Sequence, residues 1–231
     1  MARWLSDYRL FLSEFVRTFH TTGAVLPSSP RLARALSRYV AESPDGGDSP
    51  RHILEVGPGT GSVTQCIVRS LGAADRLDLV ELNERFVAKL RHRFEQEPDF
   101  VQVAERVEII HDRVENLIHS AAYDLIVSGL PLNNFSVAAV EEILAALRGL
   151  LKPGGTLSFF QYAGVRPLRA IASRGTGRAR LRGIGKAIND TLRDHEVRRE
   201  LVLSNIPPAW VHHVCWRPEP AGLVDRELQR Q

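Results

Sequence analysis

The stretch Glu55-Val-Gly57-Pro-Gly59-Thr-Gly61 joins an apolar run to a helical pattern. Glycines at alternate positions let the backbone approach a ligand closely at the carboxyl end of a strand, the place where nucleotide-type cofactors are held. A dinucleotide fingerprint would carry its third glycine at position 62, where Ser62 stands, so the spacing departs from the nicotinamide pattern. Twenty residues beyond Gly61, Glu81 ends the next apolar run, where a carboxylate can accept two hydrogen bonds from ribose hydroxyls. A third run, Ile109-Ile110-His111-Asp112, ends on another acid. Cys66 and Cys215 match no metal-ligand spacing, so two reduced thiols and no metal are expected.

The elements that must position these residues alternate. Strands are predicted at 53–56, 77–81, 107–111, 125–128 and 156–161, with helices at 63–70, 84–95 and 137–151, a βαβ series that implies a parallel sheet covered on both faces. Two further strands, 200–204 and 210–216, are joined through Asn205-Ile206-Pro207-Pro208, too short for a helical crossover. They pair antiparallel or lie apart in the sheet. Ahead of this domain, Ser29 caps a short helix over 30–41, and residues 42–50 form a Pro/Gly-rich linker. Residues 4–19, Leu10 apart, place their apolar side chains within an arc of roughly 140°. That pattern suits either a helix packed on the core or one lying in a membrane interface, with Trp4, Phe11, Phe15 and Phe19 on the apolar side. The division expected is a helical cap at 1–41, a cofactor-binding domain at 51–218 and a polar tail at 219–231.

The 231 residues carry 30 Lys+Arg against 27 Asp+Glu and 44% hydrophobic residues, which excludes disorder and fibrous classes. Charge is unevenly spread: residues 1–40 hold six basic against two acidic side chains, 41–165 hold 11 against 18, and 166–199 hold ten against three. Basic blocks flanking an acidic middle point to an anionic partner, nucleic acid or a lipid surface. The longest uncharged run, 125–140, is too short to span a bilayer and contains Pro131, Asn133 and Asn134. With no pattern of a secretory leader, a cytoplasmic protein is expected.

A parallel sheet ending in an antiparallel hairpin resembles the class I methyltransferases, and an acid followed by Gly-x-Gly-x-Gly resembles their first motif. The resemblance implies S-adenosylmethionine as cofactor, S-adenosylhomocysteine as product, and a Rossmann-like, mostly parallel seven-stranded sheet with helices on both faces. After the fourth strand the chain reads Val127-Ser128-Gly129-Leu130-Pro131-Leu132. Adenine methyltransferases carry an amide or carboxylate, then proline and an aromatic residue there, to hold the exocyclic amine and stack on the base; Ser128 and Leu132 stand in those places.

Taken with Gly23-Ala-Val-Leu-Pro-Ser-Ser29, Phe160-Gln161-Tyr162 and Asn205-Ile-Pro-Pro-Ala209, these motifs resemble the bacterial phospholipid N-methyltransferase family and the similar ornithine-lipid N-methyltransferases. The resemblance implies stepwise methylation of a primary amine on a membrane lipid by an enzyme lying on the inner face of the cytoplasmic membrane. It places Ser29, Glu55, Gly57, Gly59, Gly61, Glu81, Asp112 and Ser128 against the cofactor, and Leu130, Gln161, Arg166 and Arg169 against the substrate. A ribosomal RNA adenine methyltransferase and a non-catalytic, membrane-tethered cofactor-binding protein stay open beside it.

Transfer from a sulfonium is an in-line displacement in which alignment does most of the work. The accepting amine must be neutral, and a primary ammonium has a pKa near ~10, so a group must let its proton escape. Tyr8, Tyr162, His212 and the carbonyl of Ser128 are the candidates, with tyrosine faces also able to rest against a growing quaternary ammonium.

Overall fold

The computed structural model describes residues 28–42, 49–117, 121–163 and 176–216, the side chains of 176–182 falling outside the description. The amphipathic stretch 4–19 with Tyr8, the arginines Arg166 and Arg169, and the tail 219–231 lie outside these residues.

Helix α1 (Pro30–Leu36) begins on Ser29, whose Oγ accepts from Leu32 N at 3.2 Å, and carries proline in its first turn. Ser37 bonds back to Ala33 O at 2.9 Å, which competes with the helix ladder, so α2 (Arg38–Ala41) is a separate turn and the helix expected over 30–41 is two. The series that follows is β1 (His52–Val56), α3 (Ser62–Val68), β2 (Arg76–Val80), α4 (Glu84–Gln96), α5 (Pro98–Val101), β3 (Val107–Ile110), β4 (Tyr123–Ser128), α6 (Val137–Leu150), β5 (Leu151–Tyr162), α7 (Thr176–Leu192), β6 (Glu196–Val202) and β7 (Ala209–Cys215).

One seven-stranded sheet takes the order β3-β2-β1-β4-β5-β7-β6. Its first five strands are parallel, and β7 inserts antiparallel between β5 and β6. Strand β5 starts five residues earlier than its apolar run predicts, because Gly154, at φ 81°, lets the chain bulge past Tyr123 and Leu125 without breaking the pairing. The pattern does not predict α7 either. Gly177, Gly183 and Gly185 lower its intrinsic helix propensity, and packing against α6 overrides that.

Side chains alternate across the strands, so the sheet carries two cores. Leu54, Ile126, Leu157, Phe159 and Val214 face α6 and α7, meeting Ile143, Leu147, Ile184 and Ile188. Ile53, Leu79, Val127, Phe160 and Val211 face the other way onto Leu32, Leu36, Ile67 and Leu90. On this second face the hairpin is tied to α2: Arg38 grips Glu200 at 2.5 and 2.6 Å, and the fully buried His213 meets Ser158 Oγ at 2.7 Å beneath the ring of Tyr39. Burial pushes the His213 imidazole down to about 4.

Two helical glycines make opposite predictions. A Cβ on Gly183 would lie 2.7 Å from Val137 Cγ2, whereas one on Gly149 would meet nothing within 4 Å. Gly183→Ala is expected to lower stability by about 1–2 kcal/mol through overpacking of α7 on α6, and Gly149→Ala to raise it by about 0.5–1 kcal/mol. Denaturant titration of both variants checks the signs.

Candidate cofactor and acceptor site

The carboxyl ends of β1, β2, β3 and β4 are laced together by bonds that continue beyond the strands. Gly57 N donates to Val80 O at 2.9 Å, Gly129 N to Val56 O at 2.8 Å, and Glu81 N to Ile110 O at 3.0 Å. The loops that follow therefore converge on one edge, the edge at which open α/β sheets bind their ligands.

Glu81 fixes the glycine loop from inside that edge. Its Oε2 accepts from Gly59 N at 3.0 Å and its Oε1 from Asn83 N at 2.8 Å, and the residue is 5% exposed. Burial raises its pKa while those backbone donors pull it back. A carboxylate offers about four lone-pair sites, more than these backbone donors use, so a ribose can still be received.

From outside the loop, Arg93 of α4 donates Nη1 to Thr60 O at 2.9 Å and Gly61 O at 2.7 Å. The same guanidinium forms a bidentate pair with Glu97, both contacts 2.7 Å, and lies 4.1 Å over the ring of Phe100. Gly61, at φ 84°, is required here, because a Cβ would sit 2.5 Å from that Nη1. Gly59, at φ 57°, meets nothing within 4 Å of its would-be Cβ, so the loop leaves a cradle directly above the nitrogen that Glu81 holds. A ribose-bearing cofactor fits that cradle.

Glu55, expected at the cofactor, is placed differently. It is wholly buried beneath the loop on the α3 side of β1, with Thr64 as its polar neighbour. At zero exposure the carboxyl offers no surface to the cleft. Burial, opposed by Thr64 and reinforced by the charge of Glu81, pushes its pKa up to about 8. Asp112 lies in the loop after β3 with Oδ1 engaged by Arg113 N and Asn116 Nδ2, both at 2.7 Å. Ser29 is joined to the β6–β7 turn, its N donating to Asn205 Oδ1 at 3.1 Å.

On the acceptor side, Ser128 is fully buried at the end of β4, with Leu130 N donating to its Oγ at 3.4 Å. The register sets Ser128 beside Phe159, and Phe159 beside His212, on the face covered by α6 and α7. His212 is 5% exposed, its Nδ1 lies 2.6 Å from Glu196 Oε1, and its ring stacks on Phe159 at 5.3 Å between centroids. Alternation puts Gln161 on this same face and Tyr162 on the opposite one, where it meets Phe160 edge-on at 5.2 Å and burial raises its phenol pKa. The structure thus brings Ser128, Gln161 and His212 to one face and separates Tyr162 from them. Leu130 is buried over Gly57, whose Cβ would meet its Cδ2 at 2.7 Å.

Three further residues here carry no distinctive signal in the sequence. Arg93 signals only a common i,i+4 pair with Glu97 on a helix, which does not announce a loop buttress. Glu196 stands on an edge strand with no local pattern around it. Asn133 follows the apolar turn after β4, 3% exposed and with its Oδ1 unpartnered, yet reads as a plain loop residue.

Topology, glycine loop and strand-end acids are together those of a class I, S-adenosylmethionine-dependent methyltransferase. Residues 53–155 match the family described as a methyltransferase domain. The chain is similar, at 27% identity over 154 residues, to the ornithine lipid N-methyltransferase of Singulisphaera acidiphila, covering 67% of this chain and 77% of that one. It is also 30% identical over 139 residues to a hybrid polyketide–nonribosomal peptide synthetase of Thermothelomyces thermophilus, a likeness that spans 60% of this chain and 3% of that much longer protein. Among solved structures, the 1,6-didemethyltoxoflavin-N1-methyltransferase of Burkholderia thailandensis with bound S-adenosylhomocysteine superposes with a TM-score of 0.57 at 18% identity, covering 92% of this chain and 90% of that one.

A buried carboxyl that keeps its proton to about pH 8 destabilises the fold as pH rises from its ordinary value of 4.5, because the unfolded chain ionises first. His213, held down to about 4 from 6.5, works in the opposite sense below pH 6.5. Stability of the cofactor-free protein is therefore expected to fall between about pH 6.5 and 8, by ~2 kcal/mol, and Glu55→Gln to flatten that segment. Chemical denaturation across this range tests it; an unchanged slope in the variant contradicts the assignment to Glu55.

Proposed function

We propose that this methyltransferase transfers methyl groups to the primary amine of a membrane lipid head group, of the phosphatidylethanolamine or ornithine-lipid type, while lying on an anionic membrane surface at the cytoplasmic side. The observation that carries this reading is the acceptor wall after β4. Leu130, Leu132 and Phe135 are buried there, and Ser128 stands where an adenine-binding site places an amide or carboxylate. Likeness to an ornithine lipid N-methyltransferase over most of both chains supports it independently.

The cofactor supplies an electrophilic methyl group on a sulfonium. The chain's own residues must hold the amine in line and remove its proton. Because the Glu196 carboxylate can only accept, His212 donates through Nδ1, and Nε2 is the nitrogen that takes up a proton. The carbonyl of Ser128 and the side-chain oxygen of Asn133 accept hydrogen bonds from the amine without taking its proton. Gln161 positions the head group from β5. Tyr162, whose phenol stays protonated at neutral pH, serves as a ring face rather than as a base. Arg166 and Arg169 are assigned to the lipid phosphate or carboxylate, and Tyr8 to the amine from the N-terminal side.

Labelled S-adenosylmethionine offered with amino-lipid vesicles or with ribosomal RNA is expected to mark the lipid. Label in RNA, or in neither, contradicts the reading. His212→Gln is expected to lower kcat roughly a hundredfold at neutral pH, with cofactor affinity unchanged and the deficit shrinking as pH approaches that of free amine. A deficit independent of pH rules out the proton-accepting role.

A further inference from the structure

Five large hydrophobic side chains are exposed among the described residues, and four of them, Val197, Leu201, Leu203 and Ile206, lie on β6 and the turn that follows it. The two most exposed, Leu203 at 71% and Ile206 at 73%, stand three residues apart on the turn 203–208. Scattered apolar residues on a surface are ordinary, but these are clustered on a built support. Asn205 is 5% exposed; its Oδ1 accepts from Ser29 N at 3.1 Å and its Nδ2 donates to Pro207 O at 2.7 Å, while Pro208 O accepts from Ala163 N at 2.6 Å. The turn holds its two aliphatic tips outward.

The setting selects a partner. Leu201 is paired in register with Trp210, and the guanidinium of Arg199 lies 5.1 Å over that indole. Leu201 and Leu203 also line a groove of about 1180 Å³ with Arg31, Arg34 and Arg69. Arg31 and Arg34 are exposed and have no ion pair among the described residues, whereas the acids nearby, Glu42 and Glu200, are taken up by Arg38 and Arg198. Aliphatic tips backed by an arginine-covered tryptophan and flanked by the exposed Arg31 and Arg34 have the composition of a bilayer interface: apolar groups enter the acyl boundary, and cations remain among anionic head groups.

Position agrees with composition. Val202 and Tyr162 are both paired with Ala209, so the turn projects past the carboxyl end of β5, on the edge that carries the glycine loop and Ser128. Trp210 pairs with Gln161, which joins the patch to the acceptor face without a gap. Three residues of β5 separate Phe159, beside Ser128, from Tyr162, a rise of about 10 Å. The geometry points to the β6–β7 turn as a docking element that seats Leu203 and Ile206 in an anionic lipid surface and sets the acceptor site at head-group height. This rests on the lipid reading of the substrate, and its test separates the two.

Full-length protein is sedimented with vesicles of equal parts phosphatidylglycerol and phosphatidylethanolamine, comparing wild type with the Leu203→Asp/Ile206→Asp and Leu203→Phe/Ile206→Phe double variants. Folding of each is checked by its affinity for S-adenosylhomocysteine. The aspartate variant is expected to partition roughly tenfold or more weakly, the scale of returning two aliphatic side chains to water, and the phenylalanine variant at least as well as wild type. Methylation of detergent-dispersed lipid should be equal in all three. Equal vesicle binding by the aspartate variant overturns the docking role even where lipid is methylated. Turn-dependent binding without any label in lipid upholds docking and removes the substrate reading instead.

Discussion

The hydrogen bond from Gly59 N to the Glu81 carboxylate is the constraint on which the site depends. It joins the loop after β1 to the end of β2 and draws a glycine backbone onto a buried acid. That acid stays acceptor-rich because Asn83 N supplies its other partner from the chain itself. A glycine loop left alone would be soft. Here it is squeezed between Glu81 on the cleft side and Arg93 on the outer side, and Arg93 is in turn locked by Glu97 and Phe100. Preorganisation of this kind removes an ordering cost from ligand binding.

Charge beneath the loop complements this frame. Glu55 is a wholly buried carboxyl, kept neutral by burial and by its neighbour Glu81 against the opposing pull of Thr64. A cationic ligand entering above it favours its ionised form, and burial disfavours it. On the other side of the sheet, Ser128, Phe159 and His212 run in a row across β4, β5 and β7, so the antiparallel insertion of β7 is what carries a histidine toward the acceptor. A purely parallel sheet of these strands would leave it elsewhere.

Much of this was legible in the residues. The βαβ series is visible because strands buried on both faces are continuously apolar, and the terminal hairpin because four residues cannot make a crossover. Pattern reading failed where tertiary packing overrides local propensity: α7 holds against its glycines, Gly154 carries β5 through a segment that reads as a turn, and Ser37 splits a helix. The glycine loop, Glu81 and Asp112 announce themselves as candidates by strand-end position. The burial of Glu55, the reach of Arg93 and the pairing of Glu196 with His212 follow from contacts between residues distant in the chain, which spacing does not encode. Tyr162 and Gln161 are neighbours in sequence yet face opposite ways, a separation that strand parity alone decides.

The central claim is that the loop clamped by Glu81 is shaped for an adenosyl sulfonium cofactor, and titration calorimetry addresses it most directly. Full-length protein is expected to take up S-adenosylhomocysteine saturably at one site, and Glu81→Ala to weaken that uptake by roughly tenfold or more, through loss of both the ribose acceptor and the Gly59 anchor. An absence of binding by folded wild-type protein, or equal affinity in the alanine variant, would contradict the account.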